Sequence, residues 1–245
     1  MFSNQPPRAH QPIILPPLTP SELLEHLVAK TTYPTTVVIG WPRDIFVNAL
    51  VQDVKQKLAP RAEEEEEEEG EEEKEEQAAE SVSEKQQQQQ HTLLQATLMQ
   101  TAISRHINIV FTPTVTHLRA YLATFSAAQT RVPAPPKTVS LSKPPHLFVY
   151  GLLELHRDGM EWSAQGLSIS TAMFVESAWR DAFMAVIVEP RRTDEAEELE
   201  QSLQEKLPVL TGTPIKDDGS WGGPTVAVSR VVGRWFRMDA KAKDS

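Results

Sequence analysis

TTVVIGWPRDIFVNALVQDVKQKLA, residues Thr35–Ala59, reads as a buried strand, a tight turn and a helix. Val37, Val38 and Ile39 form a β-branched run, which suits a strand covered on both faces. Gly40-Trp41-Pro42-Arg43-Asp44 is the turn, where Pro42 fixes φ and has no amide to continue a ladder. Asp44 is the expected N-cap, because its carboxylate can accept from orphan amides two or three residues on. Val47, Leu50, Val51, Val54 and Leu58 then recur at helical spacing and predict an apolar face.

The same strand–turn–helix unit carries the phosphate loop GxxxxGK[ST], whose amides and lysine hold phosphate. Gly40 stands at the end of the strand, but no Gly-Lys-Ser/Thr follows it. The turn is too short to wrap a phosphate, and Asp44 puts negative charge at the helix start. Gly40, Trp41, Pro42, Arg43 and Asp44 therefore mark the position of a degenerate P-loop. On this stretch alone, an ordinary β–α unit of some other α/β protein is the simpler reading.

Upstream, residues 1–17 are rich in proline and polar groups and are expected to be disordered. Thr19-Pro20-Ser21-Glu22 starts a helix: Thr19 as N-cap, Pro20 at the first position, Glu22 reaching back to complete a capping box. Leu23, Leu24, Leu27 and Val28 give it an apolar face. Downstream, residues 60–90 are of low complexity, a glutamate run followed by Gln86–Gln90. Such a segment cannot bury enough apolar surface to offset its ordering entropy, so it reads as a disordered insertion between core elements. An acidic tail for basic partners is the functional alternative to a tolerated solvated loop.

Thr92–Arg105 predicts a helix with Leu94, Leu98 and Ala102 spaced by four. INIVF at 107–111 alternates as a strand. Thr114 can cap a helix whose inner side is Val115, Leu118, Leu122 and Phe125. A proline-rich linker covers 131–145. Leu147–Leu153 is a second buried strand, and Gly166–Asp181 a helix with Ile169, Met173, Val175 and Ala178 inward. Phe183–Val188 is a third apolar strand, and Asp194–Lys206 a charged helix with Leu199 and Leu203 inward. Thr225–Val232 and Arg234–Met238 read as strands, and 241–245 as a disordered tail. Strands alternating with helices predict one α/β domain over residues 18–240 with a largely parallel sheet.

The net charge of −10 belongs to one segment. Residues 61–85 hold 14 glutamates and three basic residues, a net of −11, and the remaining 21 basic and 20 acidic residues leave the rest at +1. There is no cysteine, so disulfides, thiol catalysis and thiolate zinc sites are excluded. The apolar run Leu147–Leu153 is far short of a membrane span, and no charged segment followed by an apolar one near Met1 suggests a secretory signal.

The chemical motifs are sparse. His156-Arg157-Asp158 matches the start of a kinase catalytic loop, but position 163 is Ser where that loop needs Asn. No HExxH and no GxSxG occurs. In LFVYGLLEL a Walker-B acid would stand at the strand end, where Gly151 and Leu152 are found and Glu154 is the nearest carboxylate; a solvated loop acid is the plainer role for it. In VSRVVGRWFRM, Arg230, Arg234 and Arg237 interleave with Trp235 and Phe236. Arginine with aromatics is the chemistry of single-strand binding. The competing role is a sheet-edge strand whose aromatics face the core and whose arginines pair with acids such as Glu189.

In order along the chain, VVIGWPRD, HLRAYLATF, LFVYGLLELHRD with EWSAQGLS, and RVVGRWFRM resemble fungal RecA-fold proteins of the small, divergent Rad51-paralogue type, which partner an SWS1-like zinc-finger protein in Shu-type complexes. The resemblance spans 35–59 and 91–238. It implies a RecA-like (P-loop NTPase-like) α/β core with degenerate Walker motifs, and a nuclear, non-catalytic role beside a Rad51-type recombinase or its paralogues in homologous recombination and DNA repair. Weak single-stranded DNA binding through Arg230, Arg234, Arg237 and Trp235 would fit that role. No residue matches the Walker-A lysine, so no nucleotide, metal or other cofactor is expected. The rivals are a RecA-fold subunit of an Elongator-type tRNA-modification complex and a degenerate ATPase.

Overall fold

A computed structural model describes residues 11–30, 34–58, 97–127, 144–159, 161–191, 198–212 and 221–238. The expected insertion at 60–90, most of the linker at 131–145 and the tail at 241–245 lie outside these residues. The strands are β1 (Ile13–Ile14), β2 (Thr35–Ile39), β3 (Ile107–Phe111), β4 (His146–Tyr150), β5 (Met184–Val188), β6 (Lys206–Pro208), β7 (Thr225–Ala227) and β8 (Arg237–Met238). The helices, numbered in chain order, are α1 (Pro20–Lys30), α2 (Arg43–Leu58), α3 (Leu98–Ser104), α4 (Val115–Thr124), α5 (Leu152–Arg157), α6 (Ala164–Arg180), α7 (Glu198–Gln204) and α8 (Val228–Val232).

Six strands form one sheet in the order β3-β2-β4-β5-β1-β8, every pair parallel; β6 and β7 form a separate antiparallel ribbon. Parallel strands need cover on both faces, and period-two alternation supplies it. Val37, Ile39, Phe148, Tyr150, Val186 and Val188 point to one side, against Leu23 and Leu27 of α1 and Phe46 of α2. Val38, Leu147, Val149, Ala185 and Ile187 point to the other, against α4, α5, α6, α7 and α8. The result is a three-layer α/β/α arrangement.

The capping signals hold. The Thr19 amide donates to Glu22 Oε2 at 2.9 Å, and Thr19 Oγ1 accepts from the Glu22 amide at 3.4 Å. Thr114 Oγ1 accepts from the His117 amide, and Val115, Leu118, Leu122 and Phe125 are all buried.

Several expectations need correction. Residues 11–17 are placed, and Ile13–Ile14 form a strand inside the sheet between β5 and β8. A two-residue strand has no readable period, and the prolines on either side of it mask it. Asp44 is not the N-cap, because the helix already begins at Arg43 and Asp44 lies in its first turn. Val47 and Val51 are exposed, and Phe46 is the buried residue of that helix. The expected strand 147–153 stops at Tyr150: Gly151 takes a left-handed φ of 79° and starts α5. Of the residues expected inward on α6, Ala178 is buried and Met173 and Val175 are partly buried against the core, but Ile169 is 50% exposed; the helix also buries Leu167, Ser170, Thr171, Phe174 and Ser177. Leu98 and Ala102 of α3 are exposed, while Leu94 lies outside the described residues. Val228–Val232 is helical, with strand only at 225–227 and 237–238.

Candidate functional site

The chain leaves β2 through α2 on one face of the sheet and leaves β4 through α5 and α6 on the other. Where the winding reverses between neighbouring parallel strands, a crevice opens beyond their carboxyl ends, and ligands of open α/β sheets gather there. In this protein the crevice holds about 520 Å³. Its walls are Gly40, Trp41 and Pro42 after β2, Pro113–Thr116 after β3, and Glu154, Leu155, Asp158, Gly159 and Glu161 after β4.

Backbone contacts fix this opening. The Gly40 amide donates to Tyr150 O at 2.9 Å, the Gly151 amide to Val188 O at 2.9 Å and the Thr112 amide to Ile39 O at 2.8 Å. Pairing thus runs one residue past each strand. A Cβ on Gly40 would lie 3.0 Å from Gly151 O and 3.1 Å from Tyr150 O, so a side chain there would push on two carbonyls. Trp41 packs edge-on against Tyr150, with ring centroids 5.5 Å apart, and its indole nitrogen lies over Gly151. Indole therefore fills the mouth of the turn.

The chemistry of the crevice is acidic. Its lining includes Glu154, Asp158 and Glu161 and, among the described residues, neither lysine nor arginine. Glu154 is buried on the first turn of α5, not a solvated loop acid. Beside the crevice, Arg119 Nη2 pairs with Glu161 at 3.1 Å and donates to Gly166 O, while its Nε donates to Ser170 Oγ at 2.9 Å. His156 Nδ1 lies 2.8 Å from Leu152 O and its Nε2 lies 2.8 Å from Ser170 Oγ. A carbonyl can only accept, so Nδ1 carries the proton and Nε2 accepts from the Ser170 hydroxyl. Burial holds the His156 pKa below its usual value, which keeps the ring neutral. Ser170 and His156 have the contact of a nucleophile and its base, yet both are fully buried and the serine oxygen also accepts from Arg119. The pair is a buried brace between α4, α5 and α6. The pairing of His156 with Ser170 is not legible in the sequence, because it spans two helices with no spacing signature.

A second reversal of winding lies between β5 and β1. There Leu18 pairs with Pro190 as a parallel bridge, and the Leu18 amide donates to Glu189 O and the Arg191 amide to Leu18 O. This pairing leaves about 160 Å³, lined in part by Pro17, Glu154, Arg157 and Glu189. Glu189 Oε1 accepts from the Leu153 amide at 2.9 Å and so caps α5. Burial raises the Glu189 carboxyl to about 7, with the nearby Glu154 pushing the same way. It does not pair with the C-terminal arginines.

Both strand–loop–helix connections on the α1/α2 face lack phosphate-binding chemistry. Pro16, Pro17 and Pro20 remove amides from the first, and Pro42 from the second. No group of His, Cys, Asp and Glu that could hold a metal occurs among the described residues. No described helix is long and apolar enough to cross a membrane.

Arg230, Arg234, Arg237 and Trp235 are all exposed, and Phe236 is buried against Phe174. Strand alternation does not govern them: Arg230 lies on α8, Arg234 just past its end and Arg237 on β8. Arg230 and Arg234 share one groove, whose lining includes neither Trp235 nor Arg237. Of the other tryptophans, Trp179 is 63% exposed. Trp162 instead lies under the Arg157 guanidinium at 5.0 Å, and Trp221 Nε1 donates to Pro224 O. Compared with protein-family models, curated proteins and solved structures, the chain matches none.

Proposed function

We propose that the chain is a non-catalytic subunit with a RecA-like fold that assists homologous recombination in the nucleus, as part of a Rad51-regulating complex with an SWS1-like partner. The six-stranded parallel sheet flanked by helices is compatible with that fold. The observation that carries the non-catalytic part is the switch-point crevice: its described lining holds Glu154, Asp158 and Glu161 and no lysine or arginine, and the nearby Arg119 is taken up by Glu161, so a polyphosphate is repelled where an ATPase must hold one. The crevice mouth is occupied by Trp41. Among the described residues there is no phosphate grip and no accessible nucleophile–base pair, which supports a role carried by binding.

Direct DNA contact in this reading is weak, independent of sequence and sensitive to salt. Arg237 and Trp235, both exposed on the closing stretch, supply charge and a stacking face. Each phosphate contact on a single strand contributes about −0.7 to the log–log salt slope, so a shallow slope is expected. The deciding experiment is affinity purification of the full chain from nuclear extract. Recovery of a Rad51-type recombinase or an SWS1-like zinc-finger protein supports the proposal. Recovery of a ring of Elongator subunits overturns it, as does robust ATP turnover by the purified chain.

A further inference from the structure

A trough of about 800 Å³ runs between the first turns of α6, the β6–β7 ribbon and α8. Its floor is aliphatic: Ala164, Ile169, Val209, Val226 and Val231. Ile169 is half exposed there although it sits on the helix that packs most of that face of the sheet. One wall is rigid, because Gln165 Nε2 donates to Leu210 O at 3.1 Å and its Oε1 accepts from the Leu210 amide at 3.0 Å. That two-way amide pairing ties the ribbon to α6 and holds the trough open.

Arg230 and Arg234 stand in the lining, and among the described residues no aspartate or glutamate does. Both guanidiniums are exposed, and among the described residues neither has an ion pair or hydrogen bond. This is the reverse of the switch-point crevice, and of Arg119, Arg157, Arg180 and Arg191, each of which pairs with a carboxylate. Charge complementarity thus calls for an anionic occupant, and the floor determines which kind. Nucleic-acid bases stack on aromatic rings. Among the described residues no aromatic side chain lines the trough, Trp235 lying outside it, whereas aliphatic floors take leucine, isoleucine or valine.

We propose that this trough docks an acidic segment of a partner protein, with aliphatic side chains on the floor and flanking carboxylates on Arg230 and Arg234. The assignment goes beyond the recombination reading and stands whichever complex the chain serves.

The test uses the full chain against a random peptide library displayed on phage, with labelled oligo-dT as the nucleic-acid probe. Enriched clones should combine aspartate or glutamate with aliphatic residues. Arg230→Glu with Arg234→Glu should weaken them about tenfold or more, the scale of losing and then opposing two ion pairs. Ile169→Glu should weaken them similarly, and Arg237→Glu should not. The altered side chains are exposed, so the melts should match the parent; a variant that melts early is replaced by Arg230→Gln with Arg234→Gln. Clones without acidic residues, or binding indifferent to Arg230, Arg234 and Ile169, would overturn the proposal. So would oligo-dT displacing the clones from the parent through these same residues. If only a chain lacking 61–85 captures acidic clones, the occupant is the chain's own glutamate run, and the partner assignment falls.

Discussion

Glu189→Gln should abolish a stability loss that the parent protein suffers as pH rises. In the folded chain the carboxyl is buried and its pKa stands at about 7, against 4.5 when solvated. Between those values the unfolded chain has released a proton that the folded chain keeps. The unfolded state therefore binds fewer protons, and unfolding free energy falls with pH across that window and levels off above 7. At about 1.4 kcal/mol per pKa unit, the loss is on the order of 3 kcal/mol. Glutamine keeps an acceptor for the Leu153 amide and cannot ionise. His156, whose pKa is lowered, works in the opposite sense: stability falls as pH drops through its unfolded value of 6.5. It is common to both proteins and cancels in the difference. The assay is urea unfolding of parent and variant at a series of pH values from below 4.5 to above 7. The parent-minus-variant stability should fall by roughly 3 kcal/mol across the window, or about 6–12 °C in melting temperature for a chain of this size. Parallel curves, or a difference that grows in the parent's favour with pH, would refute the buried-acid reasoning.

No ATP hydrolysis is expected from the purified chain, and a turnover assay with Trp41→Ala and Arg43→Ala as controls checks it; turnover lost in both would restore an active site at the turn. Gly40→Ala should cost about 1–3 kcal/mol, because its Cβ meets two backbone carbonyls that can move only by disturbing β2–β4 pairing, and chemical denaturation measures it. Arg119→Met should cost about 1–3 kcal/mol by stranding the Gly166 carbonyl and Glu161. It should also shift the His156 titration seen by NMR, since the Arg119 charge and the Ser170 contact both act on that ring; an unmoved histidine signal would show that the brace is not connected as described.

The apolar strands and the capped helices were legible because their signals are local. Val37–Ile39, Leu147–Tyr150 and Ala185–Val188 are runs that only a doubly covered sheet can bury, and Thr19 with Glu22 or Thr114 with Val115 carry their caps in adjacent residues. What escaped depends on neighbours distant in sequence. Ile13–Ile14 become a strand only because residues 186–187 and 237–238 flank them. Ser170, Thr171 and Ser177 turn inward because Arg119, His156 and helix carbonyls satisfy their hydroxyls, so hydropathy alone finds Ala178 but misses these three and misplaces Ile169. Val228–Val232 is β-branched and reads as strand, yet packing against α6 and α7 makes it a helix. The degenerate turn was found at Gly40, but its acidic surroundings were not, because Glu154, Asp158 and Glu161 reach it only after the chain turns at Gly151.

The place of β1 has a kinetic side. Among the described residues, β1 comes first in the chain, yet its partners on either side are β5 and β8, the last of these at residues 237–238. As the chain emerges from the ribosome, β2, β3 and β4 can align before β1 has any partner. Ile13 and Ile14 must remain unpaired until distant segments arrive, and loop closure over that separation is slow. Until β5 arrives, pairing of β2, β3 and β4 alone would leave the backbone amides and carbonyls on the β5 side of β4 without their partner strand. In pulse-labelled hydrogen exchange, the amides of Leu15 and Gly151, which bond to Ile187 and Val188, should gain protection last. A partner or chaperone present during synthesis would find its opening in that interval.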